Sequence, residues 1–149
     1  MAGASRSWKL QKGGVPFLPR AILADAMKRT AVRLMLVDDS AHARHGMAAL
    51  LSTHPEIDIV GEASNGQEAV AAMETIHPDV IIMDVQMPTM NGLDATRLIK
   101  NRWPDVKVIM LTIYSNFQEE ARSAGADAFL MKGCPADELL SLVTGRKGK

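Results

Sequence analysis

From residue 31 onward, short apolar runs alternate with longer stretches whose apolar positions recur at helical spacing. The runs are Val32–Val37, Ile57–Glu62, Val80–Val85, Val106–Thr112 and Ala128–Met131. They are rich in Val and Ile, and most of them carry little polar alternation, which predicts strands buried on both faces. Between them, the first helix is expected to bury Ala43, Met47, Leu50 and Leu51. A second opens at Asn65, with Glu68 three residues on as its capping partner. A third carries Leu93, Leu98 and Ile99 and ends before Pro104. A fourth starts at Ser115 with Gln118 in the reciprocal capping position. A fifth begins at Pro135, with Asp137 and Glu138 complementing its dipole.

Five strands alternating with five helices predict an α/β fold: a five-stranded parallel sheet with helices on both faces and right-handed crossovers. In such sheets the functional crevice lies beyond the carboxyl ends of the strands. Polar residues at those ends should therefore converge, however far apart they are in the chain.

Residues 1–30 follow a different pattern. They contain Gly13-Gly14, Pro16 and Pro19 and show no sustained periodicity, so they read as a mobile basic extension with at most a short helix over Ala21–Arg29. Met27 is a second plausible start, which would make the extension an artefact of the assigned start. Residues 31–149 form the folded domain.

Composition narrows the function classes. Hydrophobic residues make up 47% and charged residues 23%, the balance of a soluble globular chain. Aromatic residues are only 4%, too few for a nucleic-acid stacking platform. The net charge is zero, yet the first thirty residues hold six basic side chains against Asp25 alone, so the folded domain is acidic. That bias suits a cation pocket and argues against a nucleic-acid groove. The single Cys134 excludes an internal disulfide, and no Cys/His spacing resembles a zinc site. No apolar run is long enough to span a bilayer, and Arg20 and Asp25 interrupt the one patch near the N-terminus. A cytoplasmic protein is expected.

The strand ends do carry chemistry. The first strand runs into Asp38-Asp39, the third into Asp84, the fourth ends at Thr112 and the fifth runs into Lys132. Three carboxylates in one crevice repel each other, and a hard divalent cation relieves that repulsion. Carboxylate-held Mg2+ beside an ammonium and a hydroxyl is the equipment of phosphoryl transfer. A carboxylate can itself be the nucleophile and become an acyl phosphate.

These residues resemble a known family. Asp38-Asp39, Met83-Asp84 followed by Met87-Pro88-Thr89-Met90-Asn91-Gly92, then Leu111-Thr112 and Met131-Lys132, look like a response-regulator receiver domain of two-component signalling. The likeness covers residues 32–145, and it implies a flavodoxin-like fold. It also implies that Asp84 accepts phosphate from a histidine kinase or phosphotransfer protein. Asp39, Asp84 and the backbone carbonyl of Gln86 would hold Mg2+ directly, with Asp38 acting mostly through water. Lys132 would pair with the phosphoryl group and Thr112 would hydrogen-bond it. Phe129 matches the aromatic that swings inward when Thr112 moves. The face so altered would bind a downstream protein or a second copy of the chain, with no direct nucleic-acid or membrane contact by this domain. Many receivers have proline directly after the lysine. Here Gly133-Cys134-Pro135 follows, a variant resembling receivers whose output is a helix-turn-helix.

Competing readings are weaker. Asp38 and Asp39 could be helix-capping acids, Lys132 a solvated loop lysine and Thr112 an ordinary strand residue. His42 and His45, three apart, fall off the apolar helix face and read as solvent-facing. Gly61 and Gly66 lack the Lys-Ser/Thr of a phosphate loop. The methionines read as core filler and Cys134 as a cap of the last helix. A phosphohydrolase would want an acid two residues after Asp84, where Gln86 stands. A pseudo-receiver, an unphosphorylated interaction module, would lack one of the five key residues, and all five are present. Because the chain stops soon after the fifth helix, a single-domain regulator is expected. The alternative is a receiver separated from a DNA-binding output domain.

Overall fold

The computed structural model describes residues 19–22 and 30–145. The extension foreseen over residues 1–30, with its short helix at Ala21–Arg29, falls almost entirely outside them. The folded part runs β1 (Val32–Val37), α1 (Ala41–Leu51), β2 (Ile57–Ala63), α2 (Gly66–Ile76), β3 (Val80–Met83) and α3 (Gly92–Arg102). It continues through β4 (Lys107–Thr112), α4 (Gln118–Ala124), β5 (Ala128–Met131) and α5 (Ala136–Thr144). All strand pairs are parallel, in the order β2-β1-β3-β4-β5.

Successive side chains of a strand face opposite sides, so the sheet feeds two cores. Met35, Val37, Ile81, Met83, Val108 and Met110 pack with residues of α2, α3 and α4. Leu34, Leu36, Ile82, Ile109 and Leu111 pack on the other face with Leu51 of α1 and with Leu139 and Val143 of α5. The methionines at positions 83 and 110 are fully buried, as expected of core filler.

Several local expectations change. Leu50 and Leu98 satisfy helical spacing but are 39% and 44% exposed. On α1 the inward position is Leu51, and Leu50 borders an apolar crevice of about 300 Å³ between α1 and α5. On α3 the buried stripe is Leu93, Ala95, Thr96 and Ile99, which leaves Leu98 outside. The fourth helix opens with a 3-10 turn, Ser115–Phe117, and has no side-chain cap; Ser115 and Gln118 do not pair. Pro135 sits just before the first turn of α5 rather than within it, and Cys134 does not cap that helix. The Asn65–Glu68 capping pair is present, with the Glu68 N–H donating to Asn65 Oδ1 at 2.8 Å.

Register places the strand ends. Val37 of β1 is level with Met83 of β3, and Met83 is level with Met110 of β4. Asp38 and Asp84 therefore leave neighbouring strands at one height. Thr112 is level with Met131, so Lys132 emerges just above it. The chain order reverses between β1 and β3, the point where a parallel sheet opens a crevice.

The loop carrying Asp84 is held from behind by Gly92. A β-carbon built on Gly92 would lie 1.9 Å from the Asp84 carbonyl oxygen, and the Gly92 N–H donates to Val85 O at 2.7 Å. Only glycine permits that approach. Gly92→Ala should destabilise the domain by about 1–3 kcal/mol or more, the cost of overpacking against backbone. Urea unfolding would measure it, and a variant as stable as wild type would mean the Asp84 loop yields freely.

Candidate functional site

Asp84 follows β3 directly and is 8% exposed. Its N–H donates to Val37 O at 3.0 Å, extending the sheet by one residue. Its carboxylate accepts from the Val85 N–H at 2.8 Å on Oδ1 and from Lys132 Nζ at 3.2 Å on Oδ2. Asp38 leaves β1 on the neighbouring strand, with its N–H donating to Ala63 O at 3.1 Å. Its Oδ1 accepts from the Ser40 N–H at 2.9 Å and its Oδ2 from Lys132 Nζ at 2.7 Å. Asp39 is exposed. One carboxylate oxygen from each of Asp38, Asp39 and Asp84 lies within 4.8 Å of the other two.

The capping alternative for the two acids fails. Ser40 is the N-cap of α1, its hydroxyl accepting from the Ala43 N–H at 3.1 Å. Lys132 is not a solvated loop lysine either, since it bridges two carboxylates. Gly133, immediately after it, has φ 89°, a left-handed conformation that glycine adopts freely and that turns the chain toward α5.

Burial pushes the Asp84 carboxyl above its ordinary range, and the neighbouring Asp38 charge adds to that, only partly offset by Lys132. Burial by itself would lower the Lys132 ammonium, but its hydrogen bond to Asp38 and the charges of both acids outweigh that and raise it. The site therefore holds a firmly protonated lysine and a carboxylate whose ionised form is strained by its surroundings.

Thr112 is fully buried at the end of β4. Its hydroxyl accepts from the Tyr114 N–H at 3.3 Å, and its carbonyl accepts from the Lys132 N–H at 2.8 Å. It shares the sheet edge with Asp84 without being hydrogen-bonded to it. Phe129, level with Met110, is half-buried against the α4 side of the core. Gln86 is exposed in the loop after Asp84. His42 and His45 are exposed, as expected.

Sequence reasoning missed Arg44. It lies on α1 and donates through Nε to Glu62 at 3.0 Å and through Nη1 to the carbonyl oxygen of Asp38. An arginine on a helix face carries no signal of such a role by itself. The only hint is its place one turn after the Asp38-Asp39 pair.

Among the described residues, no helix is long and apolar enough to cross a membrane. The carboxylate cluster has the donor set for a hard cation: oxygen ligands, converging, beside an ammonium.

Comparison with known proteins agrees with this fold. Residues 34–144 match the family model of the response regulator receiver domain. The chain is 34% identical over 121 residues to the transcriptional regulatory protein DegU of Brevibacillus brevis, covering 80% of this chain and 51% of that protein. The response regulator domain of Thermotoga maritima CheB superposes with a TM-score of 0.72 at 33% identity, covering 77% of this chain and 95% of that one. A LuxR-family DNA-binding response regulator structure from Staphylococcus aureus gives a TM-score of 0.71 at 28% identity, over 76% and 97% of the two chains. The chain spans about half the length of the curated relatives it matches. With the fold, the converging strand ends and the family match in agreement, this chain belongs to the response regulator receiver domains of two-component systems.

Proposed function

We propose that Asp84 is the phosphoacceptor of this receiver domain and that Mg2+, held by the carboxylate cluster, is required for its phosphorylation. The observation that carries this reading is the placement of a nearly buried Asp84 carboxylate against Lys132 Nζ, with oxygens of Asp38 and Asp39 within 4.8 Å. Asp39, Asp84 and the Gln86 carbonyl serve as direct ligands, and Asp38 contributes through water. The cation, when bound, neutralises charge on the phosphoryl oxygens.

An Asp84 oxygen attacks the phosphorus of the donor's phosphohistidine. The new O–P bond makes an acyl phosphate as the P–N bond to the donor histidine breaks, and the imidazole leaves with the bonding electron pair. Lys132, already between Asp38 and Asp84, takes up the charge of the transferred group. Thr112 releases the Tyr114 N–H and turns its hydroxyl to a phosphoryl oxygen, and Phe129 follows it inward. Phosphorylation thus biases a two-state element at the β4–α4 and β5 surface. The donor is a histidine kinase or phosphotransfer protein. The reader is a downstream protein, a second copy of the chain or an attached output domain. The domain works in the cytoplasm as a switch and catalyses only its own phosphorylation and dephosphorylation, with residues 1–30 a basic extension ahead of it.

Incubation with Mg2+ and acetyl phosphate should add one phosphoryl group to the intact mass. The adduct should be absent from Asp84→Asn and absent without Mg2+. Failure of wild type to bind either phosphate or beryllofluoride would leave an unphosphorylated interaction module as the reading.

The raised Asp84 carboxyl makes a second prediction. The folded state binds this proton more tightly than the unfolded state, so stability falls as pH rises from the ordinary carboxylate range through the raised value. At neutral pH without divalent cation, Asp84→Asn should melt a few degrees above wild type. The gap should close in acid, where wild-type Asp84 is protonated. Thermal melts across that range decide it, and a wild type that melts higher at neutral pH would contradict the charge strain.

A further inference from the structure

We infer that Arg44 is a positioning residue that sets the Asp38–Asp39 peptide for metal binding, an inference that rests on the Mg2+ reading of the carboxylate cluster. The two outer acids are held very differently. Asp38 is fixed on both carboxylate oxygens, by the Ser40 N–H and by Lys132. Asp39, assigned above as a direct ligand, is exposed, and among the described residues its carboxylate has no hydrogen-bond or ion-pair partner. Its direction is therefore set by the backbone that carries it.

Arg44 grips that backbone. Its Nη1 donates to the Asp38 carbonyl, which belongs to the same planar peptide as the Asp39 nitrogen. Its Nε donates to Glu62 near the end of β2, so the guanidinium is itself anchored to the sheet. Its side chain is only 16% exposed, which is low for an arginine, and its bond to the Asp38 carbonyl is part-buried, while the bond to Glu62 faces solvent. A planar fork holds two partners at fixed angles, whereas a lysine ammonium is a point charge on a flexible stem that does not fix their mutual direction. The helix completes the clamp: the Arg44 N–H donates to Ser40 O at 3.0 Å, placing the side chain one turn after the acids.

The sign of one measurement separates positioning from charge. Arg44 is a cation beside a cation site, so charge alone predicts that removing it strengthens Mg2+ binding. Positioning predicts the reverse. Mg2+ titrated by calorimetry into the full chain should bind Arg44→Ala roughly 10-fold more weakly than wild type, the scale of losing a residue that orients a ligand. The loss should persist at high salt, where long-range charge effects are screened. Arg44→Lys, which retains the charge, should lie between the two and serves as the decisive variant if Arg44→Ala melts early. Equal or tighter Mg2+ binding by folded Arg44→Lys and Arg44→Ala overturns the inference. A wild type that binds no Mg2+ overturns the metal reading beneath it, and the two failures are thereby distinct.

Discussion

One ammonium shared by two carboxylates organises the upper edge of this sheet. Lys132 at the end of β5 reaches Asp38 at the end of β1 and Asp84 at the end of β3, spanning the whole central sheet at its carboxyl edge. A nearly buried Asp84 is tolerable because that cation is there; without it, burial and the Asp38 charge would both oppose ionisation. The compensation is incomplete, since three acids face one lysine. The site is thus poised to gain from an added cation and to redistribute its single ammonium when charge is added at Asp84.

The surrounding structure serves that constraint. Gly92 lets the α3 turn press directly on the Asp84 carbonyl, and Gly133 takes the left-handed turn that leads Lys132 into α5. The Lys132 N–H on the Thr112 carbonyl ties the lysine's backbone to the end of β4, so movement at Thr112 and movement at Lys132 are mechanically linked. The two faces of the sheet differ in how firmly they are packed. Helix α3 packs against both α2 and α4, whereas α1 and α5 leave an apolar crevice whose rim includes Asp84 and Lys132. Arg44 and its bond to Glu62 brace α1 against β2 on that looser side.

Much of this was legible from residue order, for a physical reason. A parallel sheet sends every strand end to one edge, so Asp38, Asp39, Asp84, Thr112 and Lys132 could be grouped before any contact was known. The fully buried strands announced themselves as continuous apolar runs. What escaped the sequence were features set by neighbours rather than by periodicity. Leu50 and Leu98 fit a helical stripe, but spacing does not tell whether an opposing element closes over them, and among the described residues none does. The start of α4 depends on a 3-10 turn that uses no capping side chain. Ser40 took the capping role that Asp38 could also have filled, which left Asp38 for Lys132. Arg44 reads as a solvated charge until the Asp38 carbonyl is seen beneath it.

The structure of the chain bound to Mg2+ and beryllofluoride tests the central claim most directly. The account predicts the fluoride adduct on an Asp84 oxygen, the cation among Asp38, Asp39 and Asp84, and Lys132 Nζ shifted from its Asp38 contact toward a fluorine. Beryllofluoride absent from Asp84, or bound there with the Lys132–Asp38 bridge unchanged and no cation at the cluster, would contradict it.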